Sequence, residues 1–128
     1  MSWLGVALGG AFGSVLRYGV GVLAAVIGGP DWPWGTFAAN VLGSFGLGLL
    51  FVVGEGRELL GVDSRLVLGT GAMGGFTTYS TFNLEMIRYA QETMLWKAVL
   101  YGLATVLVCL LAGAAGLAAG RALTSGTR

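Results

Sequence analysis

Four apolar stretches, 3–28, 34–54, 66–89 and 94–119, make up most of this chain, and most of the charged residues gather between them. At 1.5 Å per residue, a helix of about 20 residues covers a bilayer core of about 30 Å. The chain is 55% hydrophobic and 10% charged, whereas a soluble domain carries roughly 25% charged residues. The pattern predicts an all-α integral membrane protein, with four transmembrane helices forming one domain over residues 1–128. A net charge of +1 without a basic run gives no support for a nucleic-acid partner. With no histidine and with Cys109 as the single cysteine, a disulfide framework, a Cys/His metal site and His-based catalysis all lack their raw material.

The third stretch is built to interrupt the helix it should form. Residues 69–85 read GTGAMGGFTTYSTFNLE. Four glycines weaken the helix, and the threonines that follow add no propensity but carry hydroxyls able to satisfy backbone groups freed by a break. A break is expected over 74–78. Within a bilayer such a break survives only if it is buried in protein or lines a watery cavity, which makes it a candidate site.

Polar side chains recur on two other helices. Thr36, Asn40 and Ser44, followed by Gly48, fall at four-residue steps along the second, so they share one stripe. An amide in mid-span is costly unless paired, and it has two readings: an interhelical hydrogen bond, or N–H donors aimed into a polar path. The stripe and the broken helix favour the second. On the fourth helix Tyr101, Thr105 and Cys109 share a face, which Ala112, Gly116 and Gly120 extend with small residues. Gly5, Gly9 and Gly13 on the first helix have the spacing of a close helix–helix contact. Glu85 and Arg88, at i,i+3 near the end of the third helix, are expected to pair near the interface.

Four spans place both termini and the 55–65 connection on one side, with Arg57, Arg65, Arg121 and Arg128, against Arg88 and Lys97 on the other. That is a faint bias where oriented proteins show a clear one. Four short helices also enclose little volume. Both points favour an antiparallel homodimer, in which carbonyls freed at Gly74 and Thr77 could cage a small cation on the two-fold axis.

The combination GTFAAN (35–40) with GGFTTYSTF (74–82), the arginine in GSVLRY (13–18), and Tyr101, Thr105 and Cys109 closely resembles the Fluc/CrcB fluoride-channel family over nearly the whole chain. The resemblance implies a dual-topology homodimer in a prokaryotic inner membrane, with two antiparallel fluoride pores and a structural sodium ion held by the Gly74 and Thr77 carbonyls. It makes Asn40 the pore amide and Tyr79 and Phe82 the aromatic pair whose edges face the anion. Ser80 and Thr81 match a polar track beside the rings; Tyr101, Thr105 and Cys109 match a line of hydroxyl-bearing positions, and Thr36 joins the pore through its stripe. Two positions depart from the family pattern: Tyr79 stands where phenylalanine is common, and Cys109 where a serine can occur. The chemistry is consistent, because a selective pore must replace the water around a small, strongly hydrated anion with amide, hydroxyl and ring-edge donors.

The alternative is a small four-span dual-topology multidrug or cation exporter, which needs a membrane-embedded carboxylate. The first two stretches contain no Asp or Glu, and Glu85 lies near an end of the third. A packing or assembly protein with no cargo is a third reading. An enzyme is the weakest, because no nucleophile, base and orienting residue can be assembled.

Overall fold

The computed structural model describes residues 1–125; Arg128, counted in the charge balance above, lies outside the described residues. Helices dominate: α1 (Ser2–Gly28), α2 (Trp34–Val53), a π-helix (Arg65–Met73), the short α3 (Gly74–Phe76), α4 (Tyr79–Gln91) and α5 (Leu95–Ser125). Of these, α1, α2 and α5 are each long and apolar enough to cross a membrane. The π-helix, α3 and α4 together form the interrupted third element.

Helix α5 runs to Ser125, six residues past the expected end, because Ala, Leu and Arg in 118–123 are good helix formers despite their polar flank. The 55–65 connection also carries structure that its charges did not announce. Strands β1 (Glu58–Leu59) and β2 (Val62–Asp63) pair antiparallel. Their two-residue turn has positive φ at Leu60 (57°) and Gly61 (70°), as a type I′ hairpin requires.

Small residues bring the helices together in two pairs. On α1 the buried residues are Gly5, Gly9 and Gly13, and this face meets backbone: a Cβ added at Gly9 would land on the Val67 carbonyl oxygen, and one at Gly13 on that of Ala72. The second pair is α2 with α5, where Gly48 packs on the Gly113 carbonyl and Gly116 on that of Phe45. Both small-residue faces predicted from spacing are thus in use. Such contacts depend on backbones approaching closely, which only small residues allow.

The expected break is present and narrow. Thr77 (φ −83°, ψ 157°) and Thr78 (φ −151°, ψ 114°) are extended. The π-helix ahead of them was not anticipated from the sequence; three glycines at 69, 71 and 74 let the wider turn form without side-chain crowding.

Candidate functional site

The break is held from outside by Asn40. Its Oδ1 accepts the Thr78 backbone N–H at 2.7 Å, and its Nδ2 donates to the Thr78 carbonyl at 3.1 Å. An interhelical hydrogen bond is therefore what the amide makes, with one N–H committed to it. The second N–H has no partner among the described residues. Thr78 then starts α4: its Oγ1 accepts from the Thr81 N–H at 3.2 Å, a threonine N-cap.

These two bonds have a consequence for the carbonyls upstream. In a continuous helix the Thr78 N–H would bond the Gly74 carbonyl and the Thr81 N–H the Thr77 carbonyl. Asn40 and the Thr78 hydroxyl take those donors instead. Gly74 and Thr77 are thereby left with carbonyl oxygens free of their helical partners. The donor set is neutral and all oxygen, which suits a hard cation. A Cβ at Gly74 would meet nothing within 4 Å, so the chain leaves space beside it.

A groove of about 320 Å³ runs past this break, lined by Asn40, Ser44, Tyr79, Phe82, Thr105 and Cys109 among others. Phe82 is buried, whereas Tyr79 is 78% exposed; their ring centroids are 5.9 Å apart. Thr105 is buried, and its Oγ1 has no hydrogen-bond partner among the described residues. An unpaired buried hydroxyl costs about 1–3 kcal/mol, unless something in the groove meets it.

The remaining predicted site residues lie elsewhere. Thr36 and Thr81 face a separate depression of about 270 Å³ that also receives Arg17 and Ser14. Ser80 is exposed, with its Oγ 3.3 Å from Thr78 Oγ1. Tyr101 is fully buried behind Phe82, at 5.1 Å between ring centroids. It backs Phe82 without lining the groove itself, and gives its hydroxyl to another group.

That group is Glu85, and here the sequence expectation is corrected. Glu85 does not pair with Arg88. Its Oε1 accepts from Thr36 Oγ1 and its Oε2 from Tyr101 Oη, both at 2.8 Å. Arg88 lies one turn on and exposed, while two hydroxyls from α2 and α5 reach the carboxylate across the helix interface. A carboxylate with both oxygens accepting is satisfied without a cation. Thr78 and Glu85 are the residues that sequence reasoning missed as parts of the site. The N-cap pattern after the glycines could have identified Thr78; no local spacing connects Glu85 to Tyr101.

Comparison with known proteins gives the family. Residues 4–117 match the family model described as CrcB-like protein, Camphor Resistance (CrcB). A protein of Sorangium cellulosum named fluoride-specific ion channel FluC is 46% identical over 97% of this chain and 98% of its own length. One of the same name from Agrobacterium fabrum is 46% identical, covering 91% of this chain and 93% of itself, and another from Chloroflexus aurantiacus is 42% identical, covering 92% and 94%. A match over nearly the full length, including the break and the groove, means that the chain belongs to the CrcB-like family.

Proposed function

We propose that the protein is a fluoride-selective channel that lets fluoride leave the cell passively across a prokaryotic inner membrane. The observation that carries this reading is the groove. The Asn40 amide, the unpartnered Thr105 hydroxyl and the Phe82 ring line it together, and among the described residues no Lys or Arg does. Neutral donors can replace the hydration of a small anion without holding it too tightly to leave. The remaining N–H of Asn40, the Thr105 O–H and the ring edges of Phe82 and Tyr79 supply that solvation. Cys109 adds a weak S–H donor one helical turn beyond Thr105. The names of the relatives support the choice of ion.

The groove lies open on one protomer, and Tyr79 is largely exposed. A second copy packed antiparallel closes it, giving two pores per homodimer. The space beside Gly74 then faces the partner's break, where the released carbonyls of Gly74 and Thr77 would hold a structural sodium ion. Bound there, sodium supplies positive charge that ties the two interrupted helices together.

Glu85 gives the exporter alternative an embedded carboxylate. Its two oxygens each accept a hydroxyl from a neighbouring helix, so the carboxylate is engaged in holding α2, α4 and α5 together, and a cationic cargo would have to compete with those bonds.

The test is efflux from liposomes containing the purified protein. Fluoride should leave rapidly and chloride should not, and rigorous removal of sodium should abolish the fluoride signal. Equal efflux of the two halides would end the selective-channel reading, and unchanged flux without sodium would end the sodium site.

A further inference from the structure

The turn between α1 and α2 is short, rigid and aromatic. Gly29 has φ 73°, and Pro33 sits at φ −78°, ψ 60° with Trp34 N–H donating to the Trp32 carbonyl at 2.8 Å, an inverse γ-turn. Two prolines, Pro30 and Pro33, bracket Asp31 and Trp32. From α4, Tyr89 Oη donates to the Asp31 carbonyl at 3.1 Å and fastens the turn to the rest of the protein. The turn therefore has one defined conformation rather than the freedom of an ordinary loop.

The Trp32 side chain folds back into the helices. Its ring meets Tyr101 edge-on, at 5.5 Å between centroids and an interplanar angle of 80°. Tyr101 in turn meets Phe82 at 5.1 Å and 62°, and Tyr89 at 6.4 Å and 85°. Phe82, Tyr89 and Tyr101 are carried on the rigid helices α4 and α5, whereas Trp32 comes from the turn. Trp32, with Glu85, also borders a cavity of about 290 Å³. The indole thus contacts both that cavity and the rings that back the groove. Edge-to-face pairs prefer defined geometry, so moving the indole moves the preferred place of Tyr101.

We infer that Trp32 is a positioning residue for conduction: it holds Tyr101 against Phe82 and keeps the outer cavity from reaching the ring wall of the groove. Phe82 presents its edge where Tyr101 supports it, and Tyr101 is supported from the turn side by Trp32. Without the indole, the space around Trp32 joins the cavity, water reaches Tyr101, and the ring wall loses its fixed geometry. The inference rests on the fluoride-channel reading, because its consequence is measured as halide passage.

The experiment compares wild type, Trp32→Ala, Trp32→Phe and Tyr89→Phe in liposomes, measuring fluoride and chloride efflux and the size-exclusion elution of each protein. Trp32→Ala should lower fluoride efflux about threefold to tenfold, the range that one aromatic pair commands, and should narrow the fluoride-to-chloride ratio. Trp32→Phe, which restores a ring, should recover most of both. Tyr89→Phe leaves every ring in place and removes only the bond to Asp31. It should produce a smaller shift in the same direction, and it decides the matter if Trp32→Ala does not assemble. A merely structural role would lower the yield of assembled protein and leave the halide ratio of the remainder unchanged, which would overturn the inference. So would a Trp32→Phe protein as impaired as Trp32→Ala. A wild-type protein that passes no fluoride would instead remove the channel reading, and this inference with it.

Discussion

The two halves of the interrupted third helix are held by different kinds of force. Upstream, the π-helix from Arg65 to Met73 presents backbone to the glycine face of α1, where Val67, Gly71 and Ala72 are buried, while Gly69 is buried facing Leu47 of α2. Downstream, α4 has only Phe82 buried and is connected to its neighbours through side chains: Thr78 with Asn40, and Glu85 with Thr36 and Tyr101. Backbone contact tolerates no added atom, but it also offers no chemistry. Side-chain contact is adjustable and leaves donors over. The functional groups accordingly collect on the downstream half, and the upstream half serves as the fixed wall against which the break is made.

The largest expected effect breaks the upstream half. Gly9→Val or Gly13→Val drives a side chain into the carbonyl of Val67 or Ala72. A backbone cannot turn aside as a side chain can, so the cost should exceed about 3 kcal/mol, and size-exclusion chromatography should show little assembled protein. Gly74→Val is the matched contrast, since nothing in the protomer lies within 4 Å of a Cβ there. The protomer should still fold. If a partner's break fills that space, however, the dimer peak should give way to monomer. A normal dimer would place the interface elsewhere.

Next in size is Asn40→Asp, directed at the clasp between the halves. A carboxylate keeps the acceptor for the Thr78 N–H but sets a second oxygen 3.1 Å from the Thr78 carbonyl, where a donor stood. Losing that bond and opposing two acceptors should cost about 1–3 kcal/mol. Negative charge beside the groove should also stop fluoride efflux. A normally stable variant that conducts as well as wild type would show that the clasp and the path are unrelated.

How much of this was present in the sequence differs between the halves in the same way. The glycine face of α1 and the small-residue face of α5 follow from four-residue spacing, because packing of small residues is a local pattern on one helix. The break followed from the glycines and threonines around it. The π-helix did not, since the same glycines permit an α-helix, and the packing against α1 selects between the two. Asn40 stood out as a costly amide, but its partner Thr78 is 38 residues away, and no spacing rule spans that distance. Glu85 was read with Arg88 for the same reason: local arithmetic sees i,i+3, whereas the fold brings up Tyr101 from 16 residues on and Thr36 from 49 residues back.

Phe82→Ile probes the downstream half more gently. It keeps most of the apolar bulk but gives up the edge contact with Tyr101 at 5.1 Å, a loss of about 0.5–1.5 kcal/mol. The protein should assemble and melt only slightly early. If the ring edge solvates the anion as proposed, fluoride efflux should nonetheless fall steeply. A fall in efflux no larger than the fall in assembled protein would reduce Phe82 to packing.

The smallest effect belongs to the entrance of the upstream half. Asp63 Oδ1 accepts the Arg65 backbone N–H at 2.8 Å, and its Oδ2 lies 3.2 Å from the Arg65 guanidinium. The side-chain hydrogen bond from Arg65, followed by the backbone one, holds the Asp63 carboxyl below the ordinary carboxylate range. With the folded value depressed, the unfolded chain binds the proton more readily. The stabilisation is therefore present above the ordinary carboxylate pKa and is lost as the pH falls through the folded value. The pair is exposed to solvent and screened by salt, so its contribution is small. Asp63→Asn should melt slightly below wild type at pH 7 in low salt, and the two curves should converge as the pH falls through the depressed value of the folded Asp63. Fluoride efflux at pH 7 should not change, because the hairpin end of the π-helix touches neither the clasp nor the groove. A gap in melting temperature that persists in acid would assign the effect to the N-terminal hydrogen bond geometry rather than to charge. A change in efflux would show that the upstream half is less of a passive wall than its backbone contacts imply.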